Sequence, residues 1–145
     1  MITLPCVYIK VNDTNKAIEF YKDLLQVDIE YQNEDRWVNF KFKNGFNLAL
    51  YNKQFDLEKL KSLDNPKECY SDDYIKELRV SNTKVGNSII LNFQVDDLKS
   101  EYERIKNIKY AKVSNIMYLN PVVPYYYFNV EDPDGNVLEI TGDYK

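Results

Sequence analysis

The chain carries one pattern twice, and that repeat limits its fold more than any other feature of the sequence. "CVYIKVND" (6–13) alternates apolar and polar residues, with Val7, Ile9 and Val11 on one face, the period of a half-buried strand. Asp13 then caps a predicted helix, "TNKAIEFYKDLL", whose apolar stripe is Ala17, Ile18, Tyr21, Leu24 and Leu25. Strands are expected over 27–31, 37–43 and 46–51, separated by "NEDR" and "KNG" turns. The order β-α-β-β-β then recurs. "IILNFQVDD" (89–97) is a strand ending in an aspartate, and "LKSEYERIKNI" is a helix with Leu98, Tyr102, Ile105 and Ile108 on its inner side. Strands follow over 111–117, 125–130 and 137–141.

An offset of 84 pairs Val11 with Val95, Asp13 with Asp97, Ile18 with Tyr102 and Tyr21 with Ile105. The closing strands align at 90, "GFNLAL" (45–50) over "GNVLEI" (135–140), Gly45 on Gly135. In the last hairpin Pro133 fixes the turn's φ and Gly135 supplies a left-handed residue. Between the copies, "FDLEKLKSL" reads as a short helix through Phe55, Leu60 and Leu63, and "DNPKECYSDDYIKEL" is acidic and turn-rich. A connection this long either crosses the surface or folds over a cleft as a lid, and the surface crossover is the expectation. The expected organisation is one α+β domain over 1–145, with βαβββ modules at 1–52 and 87–145 joined by a connecting segment at 53–86.

Composition removes several kinds of chemistry. The chain has no histidine, which excludes a Ser-His-Asp or Cys-His nucleophilic pair, a histidine base and any imidazole metal site. A net charge of −4 argues against a nucleic-acid partner, which needs clustered lysine and arginine. No apolar run is long enough to cross a membrane, and "MITLPCVYIKV" lacks a signal-peptide layout, so a cytoplasmic protein without a membrane partner is expected. Cys6 and Cys69 give no disulfide framework. Thirteen tyrosines stand against one tryptophan. Flat apolar rings with a polar tip suit a wet ligand cleft, although a compositional bias toward Tyr, Lys, Asn and Ile accounts for them equally well.

The two modules, with "VND…AIEFYKDLL" in the first and "FNVEDPDGNVLEI" closing the second, resemble the vicinal oxygen chelate superfamily. This is the group of glyoxalases, bleomycin resistance proteins and extradiol dioxygenases. The resemblance covers nearly the whole chain apart from 53–86, and it implies the glyoxalase/bleomycin resistance fold, in which two curled sheets enclose a cleft. Metal-dependent members hold a divalent ion there with His and Glu from the first and last strands of each module. Carried over by the resemblance, those four positions fall on Cys6, Ala49, Ile90 and Glu139. Ala49 and Ile90 donate nothing, a carboxylate and a thiol hold a hard cation weakly, and zinc would need further ligands. Asp132 and Asp134 are explained by their turn. The expectation is no metal and no cofactor. Metal-free members bind molecules rather than transform them, and the bleomycin-type resistance proteins among them are acidic, dimeric sequesterers of cationic, aromatic-bearing drugs.

Strand parity turns Tyr8 and Lys10 toward the cleft beside Cys6, Asn47 and Tyr51 beside Ala49, Asn92 beside Ile90, and Glu139 away from Leu138 and Ile140. Trp37 and Asn39 alternate with Val38, Phe40 and Phe42, the better core face. In "PVVPYYYF" (121–128), Tyr125 and Tyr127 face the cleft with Asn129 if Val130 is core. The expected ligand-binding set is therefore Tyr8, Lys10, Trp37, Tyr51, Asn92, Tyr125, Tyr127 and Glu139, with no catalytic residue. Plainer readings stand beside it: Trp37 as core filler, the tyrosines as a dimer surface, Lys10 as a solvated strand residue, Cys6 as a small buried hydrophobe.

The expected function is sequestration of a small organic ligand, aromatic and including cationic ones, by a homodimer, since a cation gains from Glu139 and from cation–π contact. The alternative is a glyoxalase-like lyase or isomerase with a rebuilt metal site and Glu139 as general base. A third class is a purely protein-interacting domain.

Overall fold

The repeat is written in the backbone hydrogen bonds of the computed structural model, which describes residues 4–80, 89–120 and 123–145. Asp13 Oδ1 accepts from the Lys16 amide at 3.0 Å and opens helix α1 (Thr14–Leu25). Asp97 Oδ1 accepts from the Ser100 amide at 3.1 Å and opens α4 (Leu98–Ile105), 84 residues on. Each carboxylate satisfies one of the amides that a helix start leaves without an intrahelical acceptor. Gln26 and Tyr110, also 84 apart, both take positive φ, 51° and 71°, in the chain that follows each helix.

Strands β1 (Val7–Val11), β2 (Ile29–Asn33), β3 (Trp37–Lys41) and β4 (Asn47–Asn52) form one mixed sheet in the order β1-β4-β3-β2, with β1 parallel to β4. Strands β5 (Leu91–Val95), β6 (Lys112–Val113), β7 (Met117–Leu119), β8 (Tyr125–Glu131) and β9 (Val137–Gly142) form the second, in the order β5-β9-β8-β6, with β7 also pairing β8. The register agrees with both sequence offsets at once. Tyr8 faces Ala49 across β1 and β4, and Asn92 faces Glu139 across β5 and β9. The hairpin turns match as well: Gly45 N–H bonds Phe42 O and Gly135 N–H bonds Asp132 O, with φ +83° and +86°. A side chain at that φ is strained, which is why glycine stands there. The same turn ends β3 at Lys41, two residues short of the strand expected over 37–43.

The strand expected over 111–117 is broken into β6 and β7. Ser114 Oγ accepts the Asn129 amide at 2.9 Å and donates to Asn115 O at 2.8 Å. A serine hydroxyl offers backbone groups partners outside the ladder, and pairing with β8 resumes only at Met117.

The chain forms two compact units, Met1–Ile18 with Gln26–Lys84, and Glu19–Leu25 with Val85–Lys145, so α1 contributes to both. The first unit buries Ile9, Val11, Val38, Phe40, Leu48 and Leu50, the core parity expected. Helices α2 (Lys53–Ser62) and α3 (Asp72–Val80), joined through a short 3-10 turn (Pro66–Glu68), belong to it too and bury Asp56, Leu60 and Leu78. The second unit buries Phe20, Tyr21, Leu24, Leu98, Ile105, Phe128, Val130, Leu138 and Ile140. Phe20 was outside the predicted stripe of α1; its ring meets that of Tyr21 edge-on at 5.0 Å. Arg104 donates to the carbonyls of Asp23 and Leu24 at 2.6 and 2.8 Å, closing the C-terminus of α1. Among the described residues, no helix is long and apolar enough to cross a membrane.

Candidate functional site

Three side chains from three strands share a row on the first sheet. Lys10 of β1 pairs with Tyr51 of β4, and Tyr51 with Trp37 of β3, so all three project from one face. Tyr8, two residues before Lys10, joins them: its ring lies 5.4 Å from that of Trp37 and 6.0 Å, edge-on, from that of Tyr51. Trp37 Nε1 is buried and has no hydrogen-bond partner among the described residues.

Over this face lies a buried carboxylate. Asp56 of α2 is 1% exposed and accepts from Arg36 Nε at 2.8 Å and from the hydroxyls of Tyr51, Tyr74 and Tyr70 at 2.7, 2.8 and 2.9 Å. Burial alone would push its carboxyl up, but those bonds, with Arg36 foremost, outweigh it and hold the group below the ordinary carboxylate range. Burial raises the phenols of Tyr51, Tyr70 and Tyr74, Tyr70 to about 12, and the hydrogen bond to Asp56 adds to each. The Arg36 guanidinium, held chiefly by Asp56, is raised further and stands 5.1 Å above the Tyr51 ring. Over its described part, 53–80, the connecting segment does more than cross the surface; 81–86 lie outside the described residues. Its first helix puts a carboxylate onto the sheet face, and its second brings Tyr74 to the same carboxylate. The sequence signal was the i, i+4 spacing of Asp56 with Leu60, inside the helix expected through Phe55, Leu60 and Leu63, and of Tyr70 with Tyr74, which read as turn because Ser71, Asp72 and Asp73 lie between them.

Beside this network opens a cavity of about 240 Å³ lined by Tyr8, Lys10, Trp37 and Tyr51 from the strands and by Arg36, Lys53, Tyr74, Glu77 and Leu78. Four of the eight predicted residues meet here. The amides expected nearby are taken up in the sheet: Asn39 donates to Glu30 at 2.7 Å and to Asn47 at 3.1 Å, and Asn47 donates to Pro5 O at 3.2 Å.

The other four lie in the second unit. Glu139 Oε1 accepts from Asn92 Nδ2 at 2.5 Å and from the Tyr125 hydroxyl at 2.7 Å, and the Tyr127 ring lies 5.7 Å from that of Tyr125. A second cavity, of about 530 Å³, is lined by Asn92, Tyr125, Tyr126 and Tyr144, among others. Tyr126 stacks on Tyr144 at 4.6 Å and 10°. Glu139 therefore orients the Asn92 amide and the Tyr125 hydroxyl.

The four metal positions implied by the resemblance do not suit the ion. Ala49 is fully buried and Ile90 is hydrocarbon, so two of the four carry no donor, and Glu139 Oε1 already receives two hydrogen bonds. Among the described residues, no group of three or more Cys, Asp or Glu is placed to hold a metal ion.

Residues 3–140 match the Glyoxalase/Bleomycin resistance protein/Dioxygenase superfamily. A glyoxalase-related enzyme from Fulvimarina pelagi superposes with a TM-score of 0.67 at 18% identity, covering 99% of this chain and 89% of that one. A glyoxalase/bleomycin resistance protein/dioxygenase family enzyme from Burkholderia phytofirmans gives 0.66 at 17% identity, over 95% and 96%. Lactoylglutathione lyase from Agrobacterium tumefaciens gives 0.64 at 15% identity, over 97% and 92%. No curated protein sequence matches the chain. At these identities the structural likeness establishes the fold.

Proposed function

Since this chain belongs to the Glyoxalase/Bleomycin resistance protein/Dioxygenase superfamily, we propose that it is a binding protein rather than an enzyme, one that sequesters a small ring-bearing compound. The site is the first unit's cavity. What supports the reading is the meeting of Tyr8, Trp37 and Tyr51 around about 240 Å³ of space, with polar groups at its edge. Pockets for drug-sized ligands run to roughly 300–1,000 Å³, so this one suits a ligand of one or two fused rings. Tyrosine and tryptophan faces offer stacking area at little entropic cost, and Asp56 fixes the wall that Tyr51 and Tyr74 form. The donor-poor metal positions agree with binding in place of metal-assisted turnover. As in the bleomycin-type resistance proteins it resembles, the working form is a homodimer.

The test is a screen of aromatic compounds by melting temperature and by the emission of Trp37, the chain's single tryptophan. Several compounds are expected to raise the melting temperature and shift the emission together. A broad library with no such compound, or turnover of a hemithioacetal on addition of nickel or zinc that is lost in Glu139→Gln, would overturn the proposal.

A further inference from the structure

The charge of the first unit's cavity runs against that of the chain. The protein carries a net −4, yet among the described residues the cavity wall holds Lys10, Arg36 and Lys53 against Glu77 alone. Asp56 is committed to Arg36 at 2.8 Å behind the wall. Setting Arg36 against Asp56, and Glu77 against one lysine, leaves one positive charge over. Lys10 is the cation placed to supply it. It is half-buried on β1, in the same row as Tyr51 and Trp37, and among the described residues it makes no ion pair. A lysine without an ion-pair partner, in a row of aromatic side chains, gains from any anion that reaches its ammonium.

We propose that this cavity selects a flat aromatic anion, a ring stacked among Tyr8, Trp37 and Tyr51 whose acidic group meets the Lys10 ammonium. This rests on the binding function proposed above and names its ligand class. It replaces the cationic ligand that an acidic protein with Glu139 in its cleft led us to expect. Arg36 is already matched by Asp56, which holds it above the Tyr51 ring, so the acidic group of the ligand falls to Lys10.

Three probes of one shape separate the possibilities: naphthoate, naphthalenemethanol and naphthylmethylammonium, each titrated against Trp37 emission and by calorimetry. Naphthoate is expected to bind roughly tenfold or more tightly than the alcohol, and the ammonium more weakly than both. Lys10→Met, with its fold checked by melting temperature, is expected to bring the ratio of naphthoate to alcohol affinity close to one. High salt is expected to weaken naphthoate and spare the alcohol. Equal affinities, a tighter ammonium, or a ratio untouched by Lys10→Met would overturn the charge selection while leaving the binding function standing. No binding of any of the three would overturn the aromatic-anion assignment, while the binding function falls only if the broad screen also yields no compound.

Discussion

The Tyr51 hydroxyl donates to Asp56 across 2.7 Å, and through this bond the last strand of the first sheet holds the helix that follows it. Tyr70 and Tyr74 bring α3 and the turn before it to the same carboxylate, and Arg36 brings the turn before β3. One buried charge thus organises the wall of the candidate site.

Removing that charge takes the shared acceptor from three phenols and a guanidinium, with only the 2.8 Å bond between the Tyr51 and Tyr74 hydroxyls left among them. Asp56→Ala is expected to lower the unfolding free energy by about 2–3 kcal/mol, less than a fully buried ion pair would cost because Arg36 is part-exposed. Urea denaturation measures it. Asp56→Asn, which keeps one acceptor oxygen, is expected to lose less.

The same network fixes the pH dependence. Tyr70, Tyr51 and Tyr74 hold their protons more tightly folded than unfolded, so stability is full below the unfolded phenol value of about 10 and falls as pH rises toward and beyond the folded one. For Tyr70 that value is about 12. Asp56 works at the other end: its folded value is depressed, so its contribution is present above the unfolded carboxylate value of about 3.9 and is lost as pH falls through the folded one. Melting temperature against pH is expected to decline above about 10, with the decline reduced in Tyr70→Phe.

Asp132 is the second unit's counterpart. It is 1% exposed and accepts from the Tyr21 hydroxyl at 2.7 Å, from the amides of Asp134 and Asn136 at 2.9 and 2.8 Å, and from the Asn136 side chain at 2.8 Å. Tyr21→Phe removes one of these bonds and is expected to cost about 1 kcal/mol, whereas Asp132→Ala strips the turn of its acceptor and is expected to cost about 2–3 kcal/mol. Thermal unfolding of the two variants separates them.

Gly142 closes β9 against β5. A Cβ there would overlap the Val95 carbonyl oxygen, so Gly142→Ala requires the strands to part. The expected cost is about 1–3 kcal/mol, read from denaturant midpoints.

The architecture was legible because it lies in period and punctuation. Alternation placed Ile9, Val11, Val38, Phe40, Leu138 and Ile140 in the core, and the aspartates and turn glycines marked where each element begins or reverses. The site was legible only where it rests on strands, since parity sends Tyr8, Lys10, Trp37 and Tyr51 to one face. Arg36 and Asp56 were missed for a physical reason. Their places are set by charge meeting charge across 20 residues of sequence, and no periodicity records that. Helix α3 was missed because Asp72 and Asp73, which favour a helix start, sit among residues that also favour turns. Phe20 escaped because α1 serves two units, so its buried arc is wider than one stripe.

Where the ligand sits is read most directly from a crystal structure of the protein grown with the tightest-binding ring compound from the screen. The ring is expected to pack against Trp37 and Tyr51, with its polar group toward Lys10. A ring seated instead beside Asn92, Tyr125 and Glu139, with the first unit's cavity unchanged, would contradict it.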